Sequence, residues 1–173
     1  HLPQFDSIGA DGLTLLDWLE QVIFPAEMRW ADSDFAVNMT ERVIRQLLRF
    51  GTTGIVAYAT SHHHAMCRIF RTLHDSGLHG LVGQVLMDRN APDALLGDPE
   101  EQLEQTRWLL RHNTSTRMGI AVTPRFAISC SSELLHGAAK LAAQASAPLQ
   151  THFAEMPDEL NKVAELFEGK SYL

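Results

Sequence analysis

Apolar residues recur at helical spacing twice near the start of the chain. Leu13, Leu16, Leu19 and Ile23 predict a helix over 13–24, and Phe35, Met39, Val43 and Leu47 predict another from about Asp34 to Phe50, which Gly51 can end. The pattern then changes. Residues 51–60 are β-branched, nearly uncharged and bounded by glycine, so they predict a strand buried on both faces. Ser61 can cap a helix striped by Met66, Ile69, Phe70 and Leu73 and closed by Gly77, and Leu81–Met87 predicts a second buried strand. A loop from Asp88 leads to Asp98-Pro99-Glu100-Glu101, where an N-cap, a first-turn proline and a capping-box glutamate coincide. Leu103, Thr106 and Leu110 share a face of that helix. Met118–Val122 predicts a strand, 123–126 a loop, and Ser131 or Ser132 the start of an alanine-rich helix to about Ala145. Pro148–His152 predicts a short strand, and Leu160, Val163, Ala164 and Phe167 stripe a last helix.

Apolar strands alternating with amphipathic helices imply an α/β fold with a parallel sheet and helices outside it. No linker or shift in composition divides the chain, so residues 1–173 form one segment. Neither Gly-x-Gly-x-x-Gly nor a P-loop follows any strand, which removes the phosphate cradle of the nucleotide-binding open sheets and favours a (β/α)8 barrel. A complete barrel needs about 250 residues, so this length predicts roughly half of one. A chain that opens on His1 rather than Met fits the same expectation, with parts missing at both ends.

Composition narrows the ligand. The 173 residues are 45% hydrophobic and 20% charged, as in one globular domain, and the net charge of -7 argues against a broad electrostatic grip on nucleic acid or an anionic membrane. A small polar ligand suits it better. No apolar run reaches the ~18 residues of a membrane span and no secretory leader is evident, so the expected compartment is cytoplasmic. Cys67 and Cys130 form no CxxC pattern and are expected to be reduced thiols.

In a barrel, chemistry belongs to the loops after the strands. There fall His62 to His64, Asp88 to Asn90, Arg125, His152 and Glu155, with His1 a further candidate. Strand alternation puts Gln150 and His152 on one face, with Glu155 just past the end. A neutral imidazole at that rim can bind a metal, and the carboxylate can exchange protons with water there; a structural histidine and a solvated loop glutamate fit the same spacing. Consecutive side chains such as His62, His63 and His64 do not converge on one ion. Asp88 and Arg89 could pair and hold their loop. Arg125, between Pro124 and Phe126, offers a guanidinium fork beside an aromatic wall, suited to a planar ligand bearing acceptors. Phe126 alone is as well suited to the core.

As a set these residues resemble the amidohydrolase superfamily and, within it, the guanine deaminase family. His1-Leu2-Pro3-Gln4-Phe5 is similar to the second histidine of that family's His-x-His metal pair and its glutamine. Further matches are Phe24-Pro25-Ala26-Glu27, Gly51-Thr52-Thr53, the stretch 85–93, Val122-Thr123-Pro124-Arg125-Phe126 and the stretch 150–155, in the family's order and over nearly the whole chain. The runs 87–92 and 123–126 are the specific ones; Gly51–Thr53 and Thr151-His152 are shared across the superfamily.

The resemblance implies the end of barrel strand 1 through helix 5, a metal, zinc or iron, held by His1 and His152, Glu155 as proton shuttle, and Gln4, Arg125 and Phe126 around a purine. The family's remaining histidine and aspartate ligands would lie beyond Leu173. The implied reaction is hydrolysis of guanine to xanthine and ammonia in purine catabolism, by a homodimer with no nucleic-acid or membrane partner and with this segment inactive by itself. The alternatives are an amidohydrolase for another purine, a pterin or a triazine, a noncatalytic half barrel, and an open-sheet module for a small anion.

Overall fold

The computed structural model describes residues 1–170 and 172. A 3-10 turn, Leu2–Ser7, comes first. The single helix expected over 13–24 is instead a longer, irregular path: α1 (Leu15–Trp18), a π-helical stretch Leu19–Ile23, α2 (Phe24–Met28) and a 3-10 turn Arg29–Ala31. Pro25 explains the irregularity. It has no N–H to give to the carbonyl four residues back, and a widened turn before it accommodates the ring. In α3 (Ser33–Arg49), Asp32 caps the start by accepting the N–H groups of Asp34 and Phe35 at 2.9 and 3.1 Å. Gly51, at φ +77°, makes the left-handed turn into β1 (Gly54–Tyr58).

α4 (His63–Asp75) is preceded by His62 at the cap position, and it is Thr60 Oγ1, not Ser61, that accepts a nearby N–H, from His62 at 3.3 Å. β2 (His79–Gly83) and β3 (Val85–Leu86) follow, then α5 (Pro99–His112), capped by Asp98 accepting the Glu101 N–H at 3.0 Å. The Glu101 carboxylate turns to the Gln105 amide, so the reciprocal half of the capping box is not made. β4 (Met118–Ile120), β5 (Thr123–Pro124), α6 (Ser132–Ala145, capped by Ser131) and α7 (Pro157–Leu166) complete the order.

All pairing is parallel. β2 lies between β1 and β4, β3 pairs with β5, and Val122 bridges Leu149. The strand expected over 81–87 breaks at Gln84, which is wholly buried and bonded to His63 Nδ1, Ser61 O and Gln105 Oε1. Backbone bonds carry the ladder across the break, from Ala59 N–H to Gly83 O and from Val85 N–H to Thr60 O. The strand expected over 118–122 resumes as β5, inside what reads as a loop. The strand expected over 148–152 is reduced to the Leu149 bridge and two further backbone bonds, Gln150 N–H to Val122 O and His152 N–H to Arg125 O.

α3 and α4 cover the outer face of the first sheet, with Met39, Val43, Ile69, Leu73, Val82, Met118 and Ile120 in one cluster. Ile55 and Ala57 join it from β1, whereas Val56, on the opposite face with Tyr58, is 68% exposed. The expectation of burial on both faces fails here. Among the described residues β1 is an edge strand, and its inner face is left open at Val56, while Tyr58 at its end is covered by His1 and His152. Parallel strands, helices on one face and strand ends gathered at one rim are the arrangement of part of a (β/α)8 barrel. Among the described residues no helix is long and apolar enough to cross a membrane, and Cys67 and Cys130 are free thiols.

Candidate active site

The C-terminal ends of the strands define the rim: Tyr58 closes β1, Arg125 and Phe126 follow β5, and His152 follows the Leu149 bridge. The opening turn lays His1 and Gln4 beside them. One cleft there is lined by His1, Gln4, Arg125, Phe126, His152 and Glu155, together with Leu15, Trp18 and Leu19. Every residue implied as a site residue therefore meets in one place.

The other loop candidates go elsewhere. His63 bonds Gln84, His64 bonds Ser33 at 2.8 Å, and His62 Nε2 is buried without a partner. Asp88 and Arg89 do not pair with each other. Asp88 accepts the Ser131 N–H at 2.7 Å, Arg89 donates to Ala127 O at 2.8 Å and Asn90 to Ile128 O at 2.7 Å. The signature run after β3 thus laces itself to the loop after β5 and fixes how Arg125 and Phe126 leave their strand.

The two imidazoles are arranged with their free nitrogens facing. His152 Nδ1 lies 2.9 Å from the carbonyl oxygen of Arg125, an acceptor only, so this nitrogen carries the proton and Nε2 presents its lone pair. His1 Nε2 is 3.3 Å away from it. On the far side of its ring, His1 Nδ1 is buried, makes no well-aligned hydrogen bond, and lies 3.1 Å from Glu27 Oε1. The His1 tautomer with its proton on Nδ1, the side that faces this carboxylate, presents a lone pair at Nε2 as well. Facing lone pairs at this distance repel unless a cation lies between them. Ligand bonds of ~2.0–2.1 Å at a tetrahedral angle put neighbouring nitrogens about 3.3–3.4 Å apart, so the pair fits two ligands of one zinc-sized ion.

Burial, above all, lowers the pKa of His152, and the charge of Arg125 adds to this; the bond to the Arg125 carbonyl and the charge of Glu155 oppose it. The neutral ring is the metal-binding form. Among the described residues, no group of three or more His, Cys, Asp or Glu side chains is placed to hold an ion. Tyr58 stacks on His1 at 4.4 Å between ring centroids and leans on His152 at 4.4 Å, and burial pushes its phenol up to about 12, so it supports the rings as a neutral wall.

Arg125 is 2% exposed and gives Nη1 to both oxygens of Glu27, at 2.7 and 2.6 Å. Its side fork, Nε and Nη2, makes no hydrogen bond among the described residues. Phe126 serves both readings, since it lines the cleft and packs with Phe24 and Ile128 in an apolar cluster. Past His152 the chain turns at Ala154, φ +53°, and the exposed Glu155 is held by its N–H to Glu159 Oε2 at 2.6 Å. Sequence reasoning gave no role to Glu27 or Tyr58. The Phe24-Pro25-Ala26-Glu27 run was the available signal for the first, and position at a strand's C-terminal end for the second.

Comparison with known proteins settles the lineage. The amidohydrolase family model matches residues 1–171. The chain belongs to the amidohydrolase family. Among amidohydrolases, it is 36% identical over 169 residues to a guanine deaminase of Escherichia coli, covering 96% of this chain and 38% of that one. It is 34% identical to a guanine deaminase of Homo sapiens, covering 99% and 39%. The chain thus spans about two fifths of the length of these relatives. A crystal structure of guanine deaminase from C. acetobutylicum with bound guanine superposes with a TM-score of 0.94 at 34% identity, over 98% of this chain and 41% of that one. An atrazine chlorohydrolase from Arthrobacter aurescens, 18% identical with a TM-score of 0.83, shares the fold.

Proposed function

We propose that the whole protein hydrolyses guanine to xanthine and ammonia at a zinc ion for which His1 and His152 are two of the ligands. The observation that carries this is the convergence of their Nε2 atoms, 3.3 Å apart, in the cleft that also gathers Gln4, Arg125, Phe126 and Glu155. Similarity to a deaminase crystallised with guanine adds the substrate.

With Nη1 occupied by Glu27, the Nε and Nη2 fork of Arg125 is free to donate to the carbonyl oxygen and imidazole nitrogen on one edge of guanine, the geometry arginine uses on that edge in DNA. Adenine keeps the imidazole nitrogen but presents an amino donor in place of the carbonyl, which leaves one arm of the fork unpaired and disfavours it. The Gln4 amide, donor and acceptor together, complements the lactam edge, and the Phe126 ring is the wall against which the purine lies. Bound by the imidazole pair, zinc would supply the acidity that makes water a nucleophile near neutral pH. Glu155, ionised, takes a proton from the water attacking carbon 2 and delivers it to the adjacent ring nitrogen; it then takes the remaining hydroxyl proton and passes it to the amine, which leaves as ammonia while the carbonyl forms. Its place at a surface turn lets the carboxylate swing between these positions.

The test is elemental analysis of the purified whole protein and ammonia release from guanine, adenine, a pterin and a triazine. Zinc near one per chain and turnover of guanine, with adenine at least ~100-fold poorer, is the expected result. Ammonia from another substrate and none from guanine would overturn the assignment. Residues 1–173 by themselves supply only part of a coordination set and are expected to be inactive; one zinc per chain and guanine turnover from that segment alone would refute this.

A further inference from the structure

We infer that Glu27 is a positioning residue that sets the metal-binding imidazole of His1 and the substrate-binding guanidinium of Arg125 relative to each other. This rests on the function proposed above. Glu27 is 3% exposed, on α2, and touches both groups: its two oxygens lie 2.7 and 2.6 Å from Arg125 Nη1, and Oε1 lies 3.1 Å from His1 Nδ1. A carboxylate acting only as a counter-ion would best pair fork to fork, with two parallel bonds to two guanidinium nitrogens. Glu27 forgoes that arrangement. It concentrates on a single nitrogen, leaves the side fork of Arg125 free for a ligand, and turns one oxygen toward the imidazole.

The carboxylate is an acceptor only, and its charge 3.1 Å from Nδ1, though not aligned as a hydrogen bond, favours the His1 tautomer with hydrogen on Nδ1 and the lone pair on Nε2, facing His152 Nε2 at 3.3 Å. One side chain therefore fixes both the tautomer of a metal ligand and the rotamer of the arginine that reads the purine. An amide in its place could donate to Nδ1, move the proton to Nε2 and block that nitrogen from metal.

The test uses the whole protein as wild type, Glu27→Gln and Glu27→Asp, with three readouts: zinc affinity by competition with a chromophoric chelator, guanine KM and kcat at saturating zinc, and cooperative melting. Glu27→Gln is expected to weaken zinc by about 10–100-fold and to raise KM by about tenfold with kcat changed less than KM. Glu27→Asp, which stays an acceptor but is one methylene shorter, is expected to lose several-fold in both and to lie between the other two. A folded Glu27→Gln protein with wild-type zinc affinity and KM overturns the inference. If Glu27→Gln does not fold, Glu27→Asp decides, and wild-type values for both readouts in that variant overturn it. Should wild type fail to turn over guanine, the functional reading falls while the zinc competition still decides whether Glu27 positions His1.

Discussion

Replacing Arg125 by methionine tests whether the cleft is built on a buried charge pair. Both partners are nearly sealed, with side chains 3% and 4% exposed, and the shorter N···O distance is 2.6 Å. At an effective dielectric of about 20, unit charges at that range attract by roughly 6 kcal/mol, against a desolvation cost of several kcal/mol for each ion. The net worth of the intact pair is therefore small, but removing one partner strands the other as an uncompensated buried charge. Arg125→Met is expected to cost about 3–5 kcal/mol of unfolding free energy. Making Glu27→Leu as well removes the stranded charge and should restore stability to within about 1 kcal/mol of wild type. Urea unfolding of the metal-free whole protein is the assay, because bound zinc would add its own stabilisation. Neither variant should turn over guanine, so stability and activity come apart in the double change. A single substitution costing less than about 1 kcal/mol, or a double variant no more stable than the single, would refute the reasoning.

Two further outcomes follow from local structure. Burial, above all, lowers the pKa of His62, with the charge of Glu27 opposing it, so the unfolded chain takes up a proton at a higher pH than the folded one. The stability contributed by neutral His62 is complete above the ordinary histidine value of about 6.5 and is lost as pH falls from there toward the lowered value. His62→Gln should flatten the fall of the urea midpoint between pH 7 and 5, and an unchanged slope would count against this. Gly83→Ala places a methyl group into the Thr123 side chain and close to the Ala121 carbonyl at the junction of the strands, so a loss of about 1–3 kcal/mol is expected in the same assay. An unchanged midpoint would mean that the approach of β5 to β2 is not as close as described.

Local pattern set the alternation of strand and helix along the chain. The stripe of Met39 and Val43, the Asp98-Pro99 start of α5, the start of α6 at Ser131 or Ser132 and the left-handed turns at Gly51 and Gly77 are local signals, because period, capping and φ preference act within a few residues of one another. Even locally some physics was hidden. Pro25 split one expected helix into α and π turns, and Gln84 broke a strand by bonding three partners from two segments, the start of α4 and α5. The open inner face of β1 was likewise invisible, since burial depends on which strand lies alongside.

The chemistry of the site depended more on the tertiary structure. Position after the strands supplied most of the candidates, composition and spacing left His152 open between ligand and structural residue, and resemblance to a family assigned the roles and added Gln4. Only the fold brings His1 across 151 positions to face His152, and Glu27 across 98 positions to take one nitrogen of Arg125 while leaving its side fork free. Which nitrogen carries a proton, and which guanidinium edge stays open, is set by acceptors from distant segments packed within 3 Å or so, and no local pattern of residues encodes that proximity.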